Sequence, residues 1–322
     1  MKEKVLSLPT AFGTPLELYK NTWGDSNQEP FIIVSGLQGD HLNGMYVSSR
    51  LSQFLDSVCE GINSDYTLEG QVISFPMVNL NAIQSGSRLA PYDGMDMDLA
   101  FPGNLQGETA EALASAVLKH TTDACWGLIL QSPPPHYEDA PHIQTLKLDG
   151  RTKQLTRDLN IETVRKLNES VNLHSHWHSQ GVIAAILSSG SPRIINLPQC
   201  ETLFQGIVNF MVAEGILKDK RKSKFQKILK AKYYQPGDEV TVPATKAGMF
   251  LKGVKAGSHL KKGQRIGEVL DLYSGKTLEE ITAPADGLLL TLRQYPIVYE
   301  KELLATLLTT KKSWRDLLLW PG

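Results

Sequence analysis

Residues 31–41 read FIIVSGLQGDH, a short apolar run rich in β-branched residues that passes directly into a glycine-punctuated polar loop. A continuous run of this kind favours a strand that is buried on both faces, as in a sheet covered by helices. Apolar residues at helical spacing follow the loop and predict a helix from about Asn43 to Val58. A strand, a loop and a helix in this order indicate an α/β fold.

Strands and helices continue to alternate through the first two thirds of the chain. The elements predicted after the first helix are strands at Gln71–Val78, Gly127–Gln131, Leu173–Trp177 and Arg193–Leu197 and helices at Glu108–His120 and Val182–Leu187. We therefore expect an α/β domain with a mostly parallel or mixed sheet flanked by helices over residues 1–235.

The pattern of predicted secondary structure changes near Pro236. Short strand candidates separated by Gly and Pro turns predict a β-rich C-terminal domain over residues 236–322. Residues 257–269 and 279–292 are similar to the two half-motifs of a biotinyl/lipoyl-type barrel. The sequence around Lys276 does not match that of a carrier lysine, so we expect the barrel architecture without the carrier function.

The composition narrows the class of protein. Of the 322 residues 41% are hydrophobic and 21% are charged, with a net charge of −1, which argues against both disorder and a dedicated nucleic-acid binder. Three widely spaced cysteines form no CxxC pair, so we expect reduced thiols. Without a signal-peptide pattern or a run of about 18 apolar residues, the cytoplasm is the expected location and no membrane partner is expected.

Several spaced motifs resemble the succinylglutamate desuccinylase/aspartoacylase family of zinc-dependent amide hydrolases, which share the zinc-carboxypeptidase fold. The stretch Gly36–Gly44 matches the family's Gly-x-His-Gly-x-Glu-x-x-Gly, and Asn79–Ala82, Arg88 and Asp96–Gly103 match the motifs that follow. The C-terminal segments PATKAGMF, KKGQRIGEV and ITAPADG are similar to the family's appended β domain. The resemblance covers essentially the whole chain and implies a small amide or acylated amino acid as ligand.

The resemblance also implies where zinc would be held, and there this chain departs from the family. The family's two ligands in the first motif are His and Glu, and here those positions are Gln38 and His41. The third ligand, a His after a strand, is here Gln131. Catalytic zinc usually has three His or two His and one Glu as ligands, so we expect zinc to bind weakly or not at all.

The family's substrate positions have changed as well. Its Asn-Arg pair, which grips the substrate carboxylate, is here Asp98-Leu99, while Arg88 keeps the place of a second substrate-binding arginine. The family's general base, a Glu at the end of a late strand, aligns with Leu197. Glu201 lies four residues further on and is the candidate replacement for this base.

A histidine-rich segment offers an alternative metal site. On the predicted strand Leu173–Trp177, alternate residues share a face, so His174, His176 and His178 would point the same way. Together with His41 or His136 they could form a relocated zinc site.

Three functions remain open from the sequence alone. The first is a catalytically degenerate or non-standard member of the family, a pseudoenzyme that keeps the pocket. The second is an active metal-dependent amide hydrolase that uses the relocated histidines. The third is a metal-free protein that binds a small cationic molecule or a partner through Asp98 and Asp40. The sequence does not predict the oligomeric state.

Overall fold

The computed structural model describes residues 1–10, 13–25, 27–92, 94–221 and 229–309. The strands in these residues, β1 to β19 in chain order, are Lys2–Leu8, Leu16–Trp23, Phe31–Ser35, Tyr66–Leu68, Val72–Phe75, Trp126–Gln131, Tyr137–Thr145, Thr163–Lys166, Ile183–Gly190, Leu217–Asp219, Lys232–Tyr234, Glu239–Pro243, Gly248–Lys252, His259–Leu260, Arg265–Leu270, Thr277–Thr282, Gly287–Arg293, Ile297–Val298 and Leu303–Leu308. The α-helices, α1 to α6, are Leu42–Cys59, Leu80–Ser85, Thr109–Lys119, Gly150–Asp158, Leu173–Ser179 and Leu197–Ala213, and two 3-10 helices cover Met97–Ala100 and Pro236–Asp238.

A mixed sheet forms the centre of the molecule. Its strand order is β1-β2-β5-β3-β6-β9-β7-β17-β19-β12, with β8, β11 and β14 attached to its side. The four strands β5, β3, β6 and β9 are parallel neighbours, so their carboxyl ends lie at one edge of the sheet. The α/β fold with a mixed sheet expected from the sequence is confirmed.

Helices cover both faces of this sheet, which explains why residues Phe31–Val34 of β3 are all apolar. Phe31 and Ile33 point into the core shared with α1 and α6, whereas Ile32 and Val34 point into the core shared with α3 and α5. Because successive side chains of a strand alternate between faces, a strand with helices on both sides must be apolar at every position.

The C-terminal strands both extend the central sheet and form a sheet of their own. Strand β17 pairs antiparallel with β7 through residues 291–293, and β19 and β12 follow it in the same sheet. Strands β16, β15, β13 and β18 form a separate antiparallel sheet. The division into domains 1–235 and 236–322 stays a prediction, and its residues 310–322 lie outside the described part of the chain.

The histidine-rich segment differs from the sequence prediction. Leu173–Ser179 is the helix α5, because the side chain of Asn172 accepts a hydrogen bond from the backbone N–H of Ser175 and caps the helix. The predicted helix at Val182–Leu187 is instead the buried strand β9, which lies between β6 and β7. A short continuous apolar run does not by itself distinguish a buried strand from a buried helix.

The predicted strand at Arg193–Leu197 is also wrong. This segment contains only an isolated bridge between Ser191 and Ile194, and α6 then begins at Leu197. The side chain of Asn196 accepts from the N–H of Gln199 and thereby caps this helix. The strand that precedes α6 in the chain is therefore β9.

Candidate functional site

The site positions predicted from the sequence meet at the carboxyl ends of β3 and β6. Gln38 and His41 lie in the loop between β3 and α1, and Gln131 is the last residue of β6. Asp98 comes from the first 3-10 helix, and Arg88 from the segment between α2 and that helix. Such an edge is where open α/β sheets place their ligands.

The carboxylate of Asp98 links the two glutamines. The amide Nε2 of Gln38 donates to Asp98 Oδ2 at 2.9 Å and to Asp96 Oδ1 at 3.3 Å. The side chain of Gln131 hydrogen-bonds to the same Asp98 carboxylate. Burial, aided by the neighbouring carboxylate of Asp96, raises the pKa of Asp98 to about 6 against the opposing charge of Arg88.

Arg88 forms the second half of this network. Its NH2 group donates to Asp96 Oδ2 at 3.0 Å, and its NH1 group lies 3.3 Å from Nε2 of His41. Burial and the charge of Arg88 lower the pKa of His41 to about 3, so this imidazole is neutral at pH 7. Because a guanidinium can only donate, Nε2 of the neutral His41 ring accepts the hydrogen bond from Arg88.

Several buried polar atoms beneath the network have no hydrogen-bond partner. They are Oε1 of Gln38, both carboxylate oxygens of Asp40 and Nδ1 of His41. All three residues are almost completely shielded from solvent. Burial raises the pKa of Asp40, although Arg88 opposes the rise. Asp40 is fully buried, and its predicted contact with a cationic ligand stays a prediction.

The residues at the family's ligand positions do not fit catalytic zinc. Gln38 directs its amide donor into the site, and a donor N–H cannot bind a cation. The nitrogen His41 would offer faces the cationic Arg88. Moreover, Gln38 and His41 are sealed from solvent, whereas a catalytic zinc needs a position open to water. In the described residues no group of three or more His, Cys, Asp or Glu side chains is arranged to hold a metal.

Leu197 and Glu201, the predicted base positions, lie apart from this network. Leu197 is the first residue of α6 and is 56% exposed. Glu201 is exposed on the same helix, where it accepts a hydrogen bond from Gln205 at 2.8 Å. Both expectations depended on a strand that is not there.

Asp139 on β7 is a further carboxylate at this edge, which the sequence motifs did not indicate. Its Oδ2 accepts from Ser188 at 3.3 Å and its Oδ1 from Thr291 at 2.6 Å. Ser188 on β9 is the direct neighbour of Gln131, so this carboxylate lies next to the network around Asp98. Burial raises the pKa of Asp139 to about 6. The sequence alone does not show that Asp139 lies here, because its position depends on how β6, β9 and β7 pair.

The structure does not bring His41 together with the histidine-rich segment. Helix α5 lies at the amino end of β9, where Nε2 of His174 is 3.0 Å from the carbonyl oxygen of Ala184. His41 follows the carboxyl end of β3, at the opposite edge of the parallel strands. On a helix, His174, His176 and His178 also do not share one face, because only residues three or four apart do so.

The comparison with known proteins agrees with this fold. No family model matches the chain. The N-alpha-acetyl-L-2,4-diaminobutyric acid deacetylase of Halomonas elongata is 25% identical over 279 residues, which cover 82% of this chain and 77% of that protein.

Solved structures match almost the whole chain. A succinylglutamate desuccinylase/aspartoacylase from Rhodobacter sphaeroides superposes with a TM-score of 0.77 at 19% identity, over 96% of this chain and 95% of its own. The product-bound ectoine utilization protein EutE (DoeB) from Ruegeria pomeroyi has a TM-score of 0.79 at 18% identity, with 96% and 95% covered. An aspartoacylase family protein from Mesorhizobium loti has a TM-score of 0.75 at 18% identity, with 97% and 95% covered. The resemblance found in the sequence is thus confirmed: this chain has the fold of proteins named for the succinylglutamate desuccinylase/aspartoacylase family and is similar in sequence to a deacetylase.

Proposed function

We propose that this protein is a catalytically degenerate relative of the deacylases, which binds a small acylated amino acid without zinc. The observation that carries the proposal is the closed network around Asp98. The side chains of Gln38 and Gln131, at two of the family's ligand positions, are both hydrogen-bonded to this carboxylate. A metal would have to break those bonds and displace an already paired donor.

The charges around the network favour a ligand that carries a positive group. Asp96 and Asp98 are partly exposed carboxylates, and the guanidinium of Arg88 is already paired with Asp96 at 3.0 Å. Leu99, at the place of the family's substrate arginine, is 70% exposed and offers no donor. We therefore expect poor binding of diacids and better binding of an acylated diamino acid, the kind of compound named for the Halomonas relative.

Calorimetric titration with N-acetyldiaminobutyrate and N-acetylaspartate tests the ligand preference. We expect the cationic compound to bind more tightly, and Asp98→Asn, which keeps an acceptor oxygen but removes the charge, to weaken its binding. Micromolar affinity for N-acetylaspartate would contradict the proposed preference. It would mean that Arg88 is released from Asp96 to hold the ligand carboxylate.

Active deacylation is the second candidate, because the curated relative is a deacetylase. Release of free amine from both compounds, measured with and without added zinc, separates the two functions. We expect no turnover above that of Gln131→Ala. Turnover that requires Gln131 or Asp139 would establish an enzyme and reject the degenerate site.

The described helices are all too short or too polar to cross a bilayer. The cysteines Cys59, Cys125 and Cys200 are free thiols. We propose the cytoplasm as the location, because free thiols are typical of reducing compartments.

A further inference from the structure

A cavity of about 200 Å³ lies at the amino end of β9, on the far side of the sheet edge from the network around Asp98. Its wall includes His174 and His178 of α5, Asp149 before α4, and the first residues of β9. Neither the fold resemblance nor the proposed function assigns a role to this cavity.

His174, one of the lining residues, has an unused lone pair. Its Nε2 lies 3.0 Å from the carbonyl oxygen of Ala184, and because a carbonyl only accepts, this nitrogen carries the proton. Burial lowers the pKa of His174 to about 4, so the ring is neutral at pH 7 and Nδ1 is unprotonated. Nδ1 is buried and has no hydrogen-bond partner.

An imidazole fixed in this way has the arrangement of a metal ligand. Histidines that bind metals usually donate their other ring N–H to a carbonyl or carboxylate, which sets the tautomer and the ring orientation. A buried acceptor without a partner destabilises the fold, because it has lost its hydrogen bonds to water and gained none in return.

His178 provides a second imidazole on the same side of α5. It lies one turn after His174, and residues four apart on a helix are neighbours. A pair of histidines at this spacing is a recurrent zinc-binding arrangement. Asp149 lies close enough to His178 for the two side chains to interact electrostatically, which favours a cation nearby.

We propose that His174 and His178 bind one divalent transition metal ion, such as Zn²⁺ or Cu²⁺, in this cavity. The two imidazole nitrogens are the protein ligands and water completes the coordination, since the described residues hold no third ligand in place. Imidazole ligands suit zinc and copper, whereas calcium and magnesium prefer oxygen. The site is separate from the zinc position of the family.

Titration of the full-length protein with Zn²⁺ against a chromogenic chelator tests this site. We expect one saturable ion per chain, and His178→Ala to lower the affinity by at least about tenfold. His176→Ala is the matched control, because His176 lies on the same short helix but does not line the cavity. It should leave the affinity unchanged, as should Gln131→Ala at the opposite edge.

Cu²⁺ provides an independent readout, because electron paramagnetic resonance counts its nitrogen ligands. The wild type should show two nitrogens and His178→Ala one. If His178→Ala does not fold by circular dichroism, His178→Gln takes its place. Absence of saturable binding, or equal binding by the wild type and the His178 variant, would overturn the proposal.

Discussion

The polar side chains at the two ends of the central parallel strands differ in the partners they have. At the carboxyl ends, Gln38, Gln131 and Arg88 are tied to the carboxylates of Asp96 and Asp98. At the amino end of β9, a neutral histidine keeps a free lone pair beside a cavity. The difference teaches that the place where a fold usually holds its site does not decide whether a metal can bind there. What decides is whether the side chains at the ligand positions offer a free lone pair or are already held by other groups.

The strongest test of this comparison rebuilds the family's ligands at the carboxyl ends. The triple variant Gln38→His, His41→Glu, Gln131→His should bind close to one zinc per chain, because the loop after β3 and the end of β6 fix the ligand positions. Zinc content should be measured in a His178→Ala background, so that the metal counted belongs to this edge. The parent His178→Ala protein is the control.

The rebuilt site should remain a poor catalyst. It lacks the family's Asn-Arg pair, and the missing general base alone is worth about 10²–10⁴ in rate. An amidase assay with N-acetyldiaminobutyrate measures this separately from zinc uptake. Rapid hydrolysis would identify Asp139 as a base already in place, whereas no zinc uptake would show that the ligand positions have been aligned incorrectly.

A smaller effect is expected from Asp139→Asn, on the pH dependence of stability. The folded carboxyl keeps its proton up to about pH 6, whereas the unfolded one loses it near its ordinary value of 3.8. The folded state therefore binds more protons between these values, and this residue's contribution to stability is present below pH 4 and lost by pH 6. The loss corresponds to about 3 kcal/mol.

Urea unfolding of the wild type and Asp139→Asn at pH 4 and pH 7 measures this contribution. The variant should gain on the wild type as the pH rises, because its amide cannot ionise. Other titrating groups cancel in the difference. A difference independent of pH would mean that Asp139 is ionised in the fold and that its bonds to Ser188 and Thr291 hold a charge.

The network around Asp98 should respond to loss of its central acceptor. Asp98→Ala removes the acceptor for Gln38 and Gln131 and should lower the free energy of unfolding by about 2 kcal/mol. Its exposed neighbour provides the control, since Leu99→Ala should change stability by less than about 0.5 kcal/mol. Equal stability of the two variants would indicate that the network is loosely held and could open for a metal.

The smallest expected effect distinguishes two roles of Asp149, which caps α4 and carries a negative charge at the cavity. The side chain of Asp149 accepts from the N–H of Thr152 at 2.8 Å and caps α4. Asp149→Ala should therefore cost about 1 kcal/mol, while Asp149→Asn keeps the cap. Both variants should weaken Zn²⁺ binding at the cavity, since both remove the negative charge. Unchanged zinc affinity in Asp149→Asn would show that the charge of Asp149 does not contribute to metal binding.

The centre of the fold could be predicted from the sequence because residues that are neighbours in the chain determine its secondary structure. The apolar run Phe31–Val34 and the polar loop after it define β3 and the position of Gln38 with no further information. The motifs likewise identified Gln38 and Asp98 as site positions. They did not predict the hydrogen bond that joins these two side chains, because that bond depends on the path of the chain between them.

The failures of prediction have equally specific causes. The alternation His-Ser-His-Trp-His imitates a strand, but the cap at Asn172 and the spacing of Leu173 and Trp177, which are both buried, belong to a helix. The unused lone pair of His174 depends on Ala184, which lies on a different element. Contacts of this kind become visible only when strand order is known.

The pairing of β17 with β7 limits how this chain can be divided. Strand β7 has β9 and β8 along one part of its length and β17 at its beginning. A fragment that ended near residue 235 would leave the N–H and C=O groups of residues 137–139 on an open sheet edge, and Thr291 would no longer donate to Asp139. Open edges recruit strands from other molecules, so such a fragment would tend to aggregate. Residues 236–309 thus cover a sheet edge of the α/β part of the molecule. Insertions are better tolerated in the turns of the separate sheet β16-β15-β13-β18 than where β17 pairs with β7.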